Sequence, residues 1–228
     1  MKREVLERLQ EHRAAHRPVV LITDLESGEQ QLILPGDDAV APGLRQAARD
    51  ALASDRSGTV ETAASRVFVR PFNPPLRLVL VGAVHIAQPL ARMAGETGYE
   101  VIVVDPRSAF ATESRFPGVR RLSEWPDAAL PALSLDSRCA VVTLTHDPKL
   151  DDPALDAALR SDVFYIGSLG SRKTHASRLA RLRVRGFDDD ALARIRGPVG
   201  LAIGARSPAE IAVSILAEIT AALRRATP

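Results

Sequence analysis

From residue 76 onward, short runs of apolar and mostly β-branched residues recur without polar alternation. They are Leu78-Val79-Leu80-Val81, Val101-Ile102-Val103-Val104, Ala140-Val141-Val142-Thr143-Leu144 and Val163-Phe164-Tyr165-Ile166. A strand with one wet face alternates apolar and polar positions, so unbroken runs predict a parallel sheet covered on both faces. Helical patterns separate the runs over 86–97, 154–161 and 173–185. A last helix opens with Ser207-Pro208-Ala209-Glu210: Ser207 caps it, Pro208 suits the first turn and Glu210 closes a capping box. Ile211, Ile215, Ile219 and Leu223 then form one apolar stripe at helical spacing. Strands alternating with helices in this way predict a doubly wound, Rossmann-like α/β domain.

The earlier part of the chain is patterned differently. Residues 18–25 and 30–34 alternate like two strands around the turn residues Ser27-Gly28, and 66–70 read as another strand. Val5, Leu6 and Leu9 mark a short charged helix, and 44–52 a second one. This predicts a small N-terminal α+β part. The joint is Pro71-Phe72-Asn73-Pro74-Pro75, which can neither continue a helix nor lie in a central strand. The expected domains are therefore 1–74 and 75–228. The first is barely large enough for an independent core.

Composition narrows the function classes. With 46% hydrophobic residues in 228 the chain has ample material for a core, which excludes disorder. A single cysteine, Cys139, excludes a disulfide framework and a cysteine-based metal site within one chain. Met1-Lys2-Arg3-Glu4 has no apolar core behind it, unlike a secretory signal, and no apolar run nears the ~20 residues a bilayer span needs. A cytoplasmic protein without membrane association is expected. Aromatic residues, at 4%, are too few for a single-strand stacking platform, and helix-turn-helix or zinc-finger spacings are missing, so nucleic acid is not an expected partner. The net charge of +2 hides a cationic stretch: Arg172, Lys173, Arg178, Arg181, Arg183, Arg185, Arg194 and Arg196. Its default reading is a solvated face in an Arg-rich chain.

Candidate chemistry gathers where the predicted strands end. Gly82-Ala83-Val84-His85-Ile86-Ala87 follows the first strand, where a dinucleotide fold carries G-x-G-x-x-G/A. Gly82 and Ala87 fit, but Val84 replaces the glycine that lets backbone approach a pyrophosphate. Asp105 closes the second strand, where an acid would meet a ribose hydroxyl. This leaves NAD(P) open as an alternative ligand. His85 in the same turn suits phosphate contact or proton transfer. After the third strand, Thr145-His146-Asp147 emerge at the same edge. His146 and Asp147 are site candidates, whereas Asp152 before Pro153 reads as a helix cap and Asp151 as a partner for that helix's positive end.

Tyr165-Ile166-Gly167-Ser168-Leu169-Gly170-Ser171-Arg172-Lys173-Thr174 is the strongest local signal. A strand ends, glycines bracket a short loop, and Ser171 caps the next helix. Its exposed N–H groups, hydroxyls and cations make a ready anion site. Ser168, Gly170, Ser171, Arg172 and Lys173 are the expected phosphate contacts, with Gly167 a further binding candidate. The spacing is not that of a Walker A loop, which removes an ATPase reading. Gly200-Leu201-Ala202-Ile203-Gly204 reads as one more apolar strand, and Cys139, at a strand start, is remote from these loops.

Taken together, GAVHIAQPLA, VVDPR, the Phe110-Ala111-Thr112 to Phe116-Pro117-Gly118 stretch, LTHDPKLDDPAL, YIGSLGSRKTH and GLAIGARSPAEIAVSILAEI resemble the XdhC/CoxI family over 76–223. That resemblance implies an accessory factor rather than a catalyst. Such factors bind the molybdenum cofactor (molybdopterin), hold it while a cysteine desulfurase sulfurates it, and pass it to the apoenzyme of a molybdenum hydroxylase such as xanthine dehydrogenase. A homodimer is the expected assembly. Two departures stand out: Val84 where the family often has glycine, and the lack of the Gly-Gly-Cys motif many members carry in the N-terminal domain.

Overall fold

The computed structural model describes residues 2–63 and 65–225, with the side chain of Arg225 outside that description. The described residues fall into two compact units that divide between Pro74 and Pro75. The first contains α1 (Arg3–Ala14), β1 (Val19–Asp24), β2 (Gln30–Ile33), α2 (Pro42–Ser54), β3 (Gly58–Glu61) and β4 (Arg66–Phe72). Its strands form an antiparallel sheet in the order β2-β1-β4-β3. Pro71 and Phe72, expected in the joint, instead complete the inner strand β4: Pro71 pairs with Val20 of β1, beyond the stretch 66–69 that β3 covers, so no partner on that side needs its missing N–H. Val20, Ile22, Val67 and Val69 point to one face, where Ala47, Ala48 and Ala51 of α2 cover them. This unit does have its own core. The strand β3 escapes prediction because Gly58-Thr59-Val60-Glu61 is only four residues with a single strongly apolar side chain.

The second unit contains β5 (Leu76–Val81), α3 (Ala87–Glu96), β6 (Tyr99–Val104), β7 (Arg120–Leu122), α4 (Pro126–Ala132), β8 (Cys139–Thr143), α5 (Pro148–Leu159), β9 (Tyr165–Ser168), α6 (Arg172–Val184), α7 (Asp189–Ala193), β10 (Ile195–Arg196) and α8 (Pro208–Arg225). Its six strands are all parallel, in the order β10-β9-β8-β5-β6-β7. Alternate residues of each apolar run feed opposite faces. Leu78, Leu80, Val101, Val103, Ala140 and Val142 pack beneath α3 and α8. Val79, Val81, Ile102, Val104, Val141 and Ile166 pack beneath the α4–α5 face. Both faces are dry, which is why the runs show no polar alternation. This is the doubly wound, Rossmann-like sheet expected.

Strand order fixes where a ligand can sit. From β5 the chain builds outward through β6 to β7, then returns to lay β8 on the other side of β5. Between β5 and β8 the direction of winding reverses. In open α/β sheets the crevice outside the carboxyl ends of the strands at this reversal is the ligand site.

Four further local expectations change. The helix after β8 starts at Pro148, not near Ala154, and Asp147 caps it by accepting from the Lys149 N–H at 2.9 Å. The sequence carries two Asp-Pro signals, Asp147-Pro148 and Asp152-Pro153, and the earlier one starts the helix. Asp151 and Asp152 are therefore buried side chains within α5, not its caps. Gly167 and Ser168 belong to β9 rather than to the loop after it. Residues 200–204 form no strand: α8 holds them instead, through Gly200 N–H to Glu218 Oε2 at 2.8 Å and Leu201 N–H to the Ser214 carbonyl at 3.1 Å. The capping box before α8 is present, with the Ser207 N–H donating to Glu210 Oε2 at 2.9 Å and the Glu210 N–H to Ser207 Oγ at 3.3 Å.

Candidate functional site

The carboxyl edge brings together the turns after β5, β6, β8 and β9. Gly82 takes φ +108°, and a Cβ there would overlap the Thr145 side chain. The turn after β5 and the one after β8 thus touch, and only glycine permits it. Ala83 is fully buried behind the turn, and Val84 packs against the core cluster under α3. Val84 stands at the sequence position where a dinucleotide turn has its second glycine. His85 is exposed and makes no hydrogen bond or ion pair among the described residues.

Asp105 ends fully buried. Its Oδ2 accepts from the Ala83 N–H at 2.8 Å and from Arg107 Nη2 at 2.8 Å. Its Oδ1 accepts from Arg107 Nε at 2.9 Å and the Arg107 N–H at 3.0 Å. Burial alone would raise its pKa. The bonds from Arg107 and Ala83 outweigh burial and hold the carboxyl below the usual carboxylate range. With four donors already in place, Asp105 ties the first two turns together rather than facing a ligand. Arg107 in turn lies over the exposed Phe110 ring, 4.7 Å from its centroid, and its basicity is raised chiefly by the bond to Asp105, against burial, with a lesser contribution from the Asp147 carboxylate. Sequence reasoning misses Arg107 as a functional residue. The Asp-Pro-Arg spacing after a buried strand is the signal that could find it.

His146 adopts φ +64°, a left-handed conformation uncommon for a non-glycine residue. It is exposed, and its Nδ1 lies 3.4 Å from where a Cβ on Gly170 would stand. Gly170 itself has φ +140°. The β8 and β9 turns therefore meet at these two residues. Ser171 caps α6, its Oγ accepting from the Thr174 N–H at 3.1 Å. Arg172 and Lys173 are exposed, and neither side chain has a partner among the described residues. Ser168 is placed differently: it is buried, with its hydroxyl bonded to Thr143 inside the sheet. Gly167 is buried beside Val199 and Tyr165, where a Cβ would crowd both.

The cationic stretch is in part the solvated face expected, with Arg172, Lys173, Arg183, Arg185 and Arg196 exposed, while Arg178, Arg181 and Arg194 turn inward. Arg181 forms a forked pair with Asp152 at 2.6 and 2.9 Å. Arg183 meets Asp189 at 2.7 Å, and Arg194 donates to the carbonyls of Leu159, Ser161 and Val163. Arg178 is 1% exposed. What remains free at the edge is Arg172 with Lys173. A cavity of about 430 Å³ between α4 and α5, lined by Leu130, Pro131, Leu135, Pro153, Ala157 and Arg160, contains none of the edge residues.

Cys139 lies buried at the opposite end of β8, and burial pushes its thiol up to about 11, so it is not a nucleophile at neutral pH. Among the described residues no group of three or more His, Cys, Asp or Glu side chains could hold a metal ion. Nor is any described helix long and apolar enough to cross a membrane.

Comparisons with known proteins agree with this architecture. Over 162 residues, 71% of this chain, the sequence is 36% identical to a protein of Bacillus subtilis named as a probable xanthine dehydrogenase subunit, and it covers 47% of that protein. Over 150 residues, 65% of the chain, it is 34% identical to the molybdenum cofactor insertion chaperone PaoD of Escherichia coli and covers 40% of it. The chain thus spans less than half the length of these curated relatives. A crystal structure of a xanthine dehydrogenase from Bacillus halodurans is similar with a TM-score of 0.75 at 25% identity, over 98% of this chain and 67% of that one. Residues 78–219 match the family model described as the XdhC Rossmann domain. A match over more than half its length, on a parallel sheet of the expected winding, means that this chain belongs to the XdhC family.

Proposed function

We propose that this chain is a maturation factor for molybdenum hydroxylases. It holds the molybdenum cofactor as cargo at the carboxyl edge of its sheet and delivers it to an apoenzyme such as xanthine dehydrogenase. A relative named as a molybdenum cofactor insertion chaperone supports the cargo, and one named for xanthine dehydrogenase supports the client. The observation that carries the reading is the pair of partnerless cations, Arg172 and Lys173, on the first turn of α6 beside the winding reversal. First-turn N–H groups, the helix dipole and two free cations suit a phosphate monoester, which the cargo bears. His85, His146 and Asp147 lie exposed around the same edge. They are suited to the polar pterin ring.

The same reading includes a cysteine desulfurase that sulfurates the cargo while it is held, a cytoplasmic setting and two-fold self-association, the commonest symmetry of soluble oligomers. NAD(P) fits the edge less well. Val84 takes the place of the glycine that lets backbone approach a pyrophosphate, and Asp105 is fully buried under Arg107 instead of meeting a ribose.

The test is binding of molybdopterin to the unmodified chain and to the Arg172→Ala/Lys173→Ala double variant. Two lost charge-assisted bonds should weaken binding by about 2–4 kcal/mol, ~30- to 900-fold, with the fold intact. An unchanged Kd removes the α6 turn from the site. Micromolar binding of NAD or NADP by the unmodified chain would overturn the cargo assignment.

A further inference from the structure

Behind the edge lies a charged pair with no part in the contacts so far. Asp151 of α5 and Arg178 of α6 are each 1% exposed, with Arg178 Nη2 3.6 Å from Asp151 Oδ2. Each also grips one of the two turns that meet at His146 and Gly170. Thr145 Oγ1 donates to Asp151 Oδ1 at 2.7 Å and accepts from the Asp147 N–H at 3.1 Å. Arg178 reaches back along α6, as helical side chains do, and its Nη2 donates to the Leu169 carbonyl at 2.8 Å. The Leu169 N–H is itself held by the Thr143 carbonyl at 2.9 Å.

Stability does not explain the pair. Asp151 Oδ2, Arg178 Nε and Nη1, and the neighbouring His175 Nδ1 are buried without a hydrogen-bond partner among the described residues. Burying charges costs more than a long, partly satisfied ion pair returns, and apolar replacements of such pairs are often neutral or stabilising. A costly pair placed directly under two functional turns has a geometric use.

We infer that Asp151 and Arg178 are positioning residues, which fix the spacing between the 145–147 turn and the 169–171 turn so that His146 and the α6 N-terminus face one ligand. This rests on the proposed cargo only for the identity of that ligand. The bracing itself concerns the two turns and is measurable without it.

Two measurements on the full chain separate these claims. The Asp151→Asn/Arg178→Met double variant removes both charges at nearly constant volume. Bracing requires amide hydrogen exchange at Asp147 and Leu169 to accelerate at least ~10-fold while Val141 and Val142 of β8 are unchanged, since local opening has its own free energy. Thermal stability should stay level or rise, which a merely structural pair would not allow. Unchanged exchange at both turns, or a fall in Tm with uniformly faster exchange, overturns the inference whatever the cargo is. Molybdopterin affinity should fall about 10- to 100-fold, the scale of a small misplacement of anchoring groups. If the unmodified chain does not bind molybdopterin, the cargo reading fails and the exchange result still decides the bracing. Equal affinity in both proteins, with faster exchange, also overturns the positioning role. Arg178→Lys keeps the charge but not the reach of Nη2 to both Leu169 and Asp151, and it carries the same measurements should the double variant not fold.

Discussion

Asp105 shows how one side chain can be misread from its position alone. At the end of the second strand it occupies the place of a ribose acid, and only the three-dimensional neighbourhood reveals that Arg107 and Ala83 already satisfy it. Its folded pKa is depressed by those bonds against the opposing effect of burial. The stability it contributes is therefore present above its unfolded pKa, near ~4, and is lost as pH falls through the lower folded value. Asp151 titrates in the opposite sense: burial raises its pKa, so its charged form opposes folding as pH rises through the folded value. Replacing Asp105 with Asn should cost about 1–3 kcal/mol at pH 7, and the gap to the unmodified chain should narrow below pH ~4. Urea unfolding at pH 7 and pH 3 reads this directly. A gap independent of pH would mean that the Asp105 charge is not what holds the β5 and β6 turns.

At the scale of elements, the strands were legible because burial on both faces leaves a signature that needs no partner to be recognised. Val101-Ile102-Val103-Val104 says as much on its own. The pieces that escaped, β3, β7, β10, α4 and α7, are all seven residues or fewer, too short for a repeated apolar pattern to stand out from chance. Residues 200–204 went the other way. Their apolar run looks like a strand, yet Leu201 and Ile203 are exposed and the backbone is held by α8. Glu218 is the hinge of that arrangement, with its Oε2 accepting from Tyr165 Oη at 2.6 Å and the Gly200 N–H at 2.8 Å. One carboxylate thus ties α8, β9 and the 200–204 loop. Glu218→Gln should weaken both bonds by losing charge assistance and destabilise the chain by ~1–2 kcal/mol, with Tyr165→Phe losing about half as much. Thermal unfolding of the two variants and their combination decides it. Additive losses would show that the two bonds are independent rather than one shared anchor.

At the scale of the whole molecule, the candidate site was legible in its turns and illegible in its supports. Glycines and caps after strands are local signals, so Gly82, Gly170 and Ser171 could be picked out singly. The residues that set those turns, Arg107, Thr145, Asp151 and Arg178, hydrogen-bond to partners only two to nine residues away, yet by residue type they read as solvated or capping groups, and only the fold shows Asp151 and Arg178 buried behind the turns. The division of labour between the two units belongs to the same scale. All edge residues lie in the second unit, whose sheet is complete without the first. The first unit has a separate four-stranded sheet and its own core, yet contributes none of the residues assigned to cargo. On the proposed reading, a factor that carries cargo without turning it over has to meet its client, and that contact is assigned to the separately folded first unit. Deleting residues 1–73 should therefore leave molybdopterin affinity within about threefold, less than the ~1 kcal/mol of a typical hydrogen bond, while abolishing activation of an apo-hydroxylase. Reconstitution of hydroxylase activity with loaded full-length and truncated protein makes the comparison. Equal activation by the two would place the handover surface on the Rossmann-like unit and leave the first unit without a role in delivery.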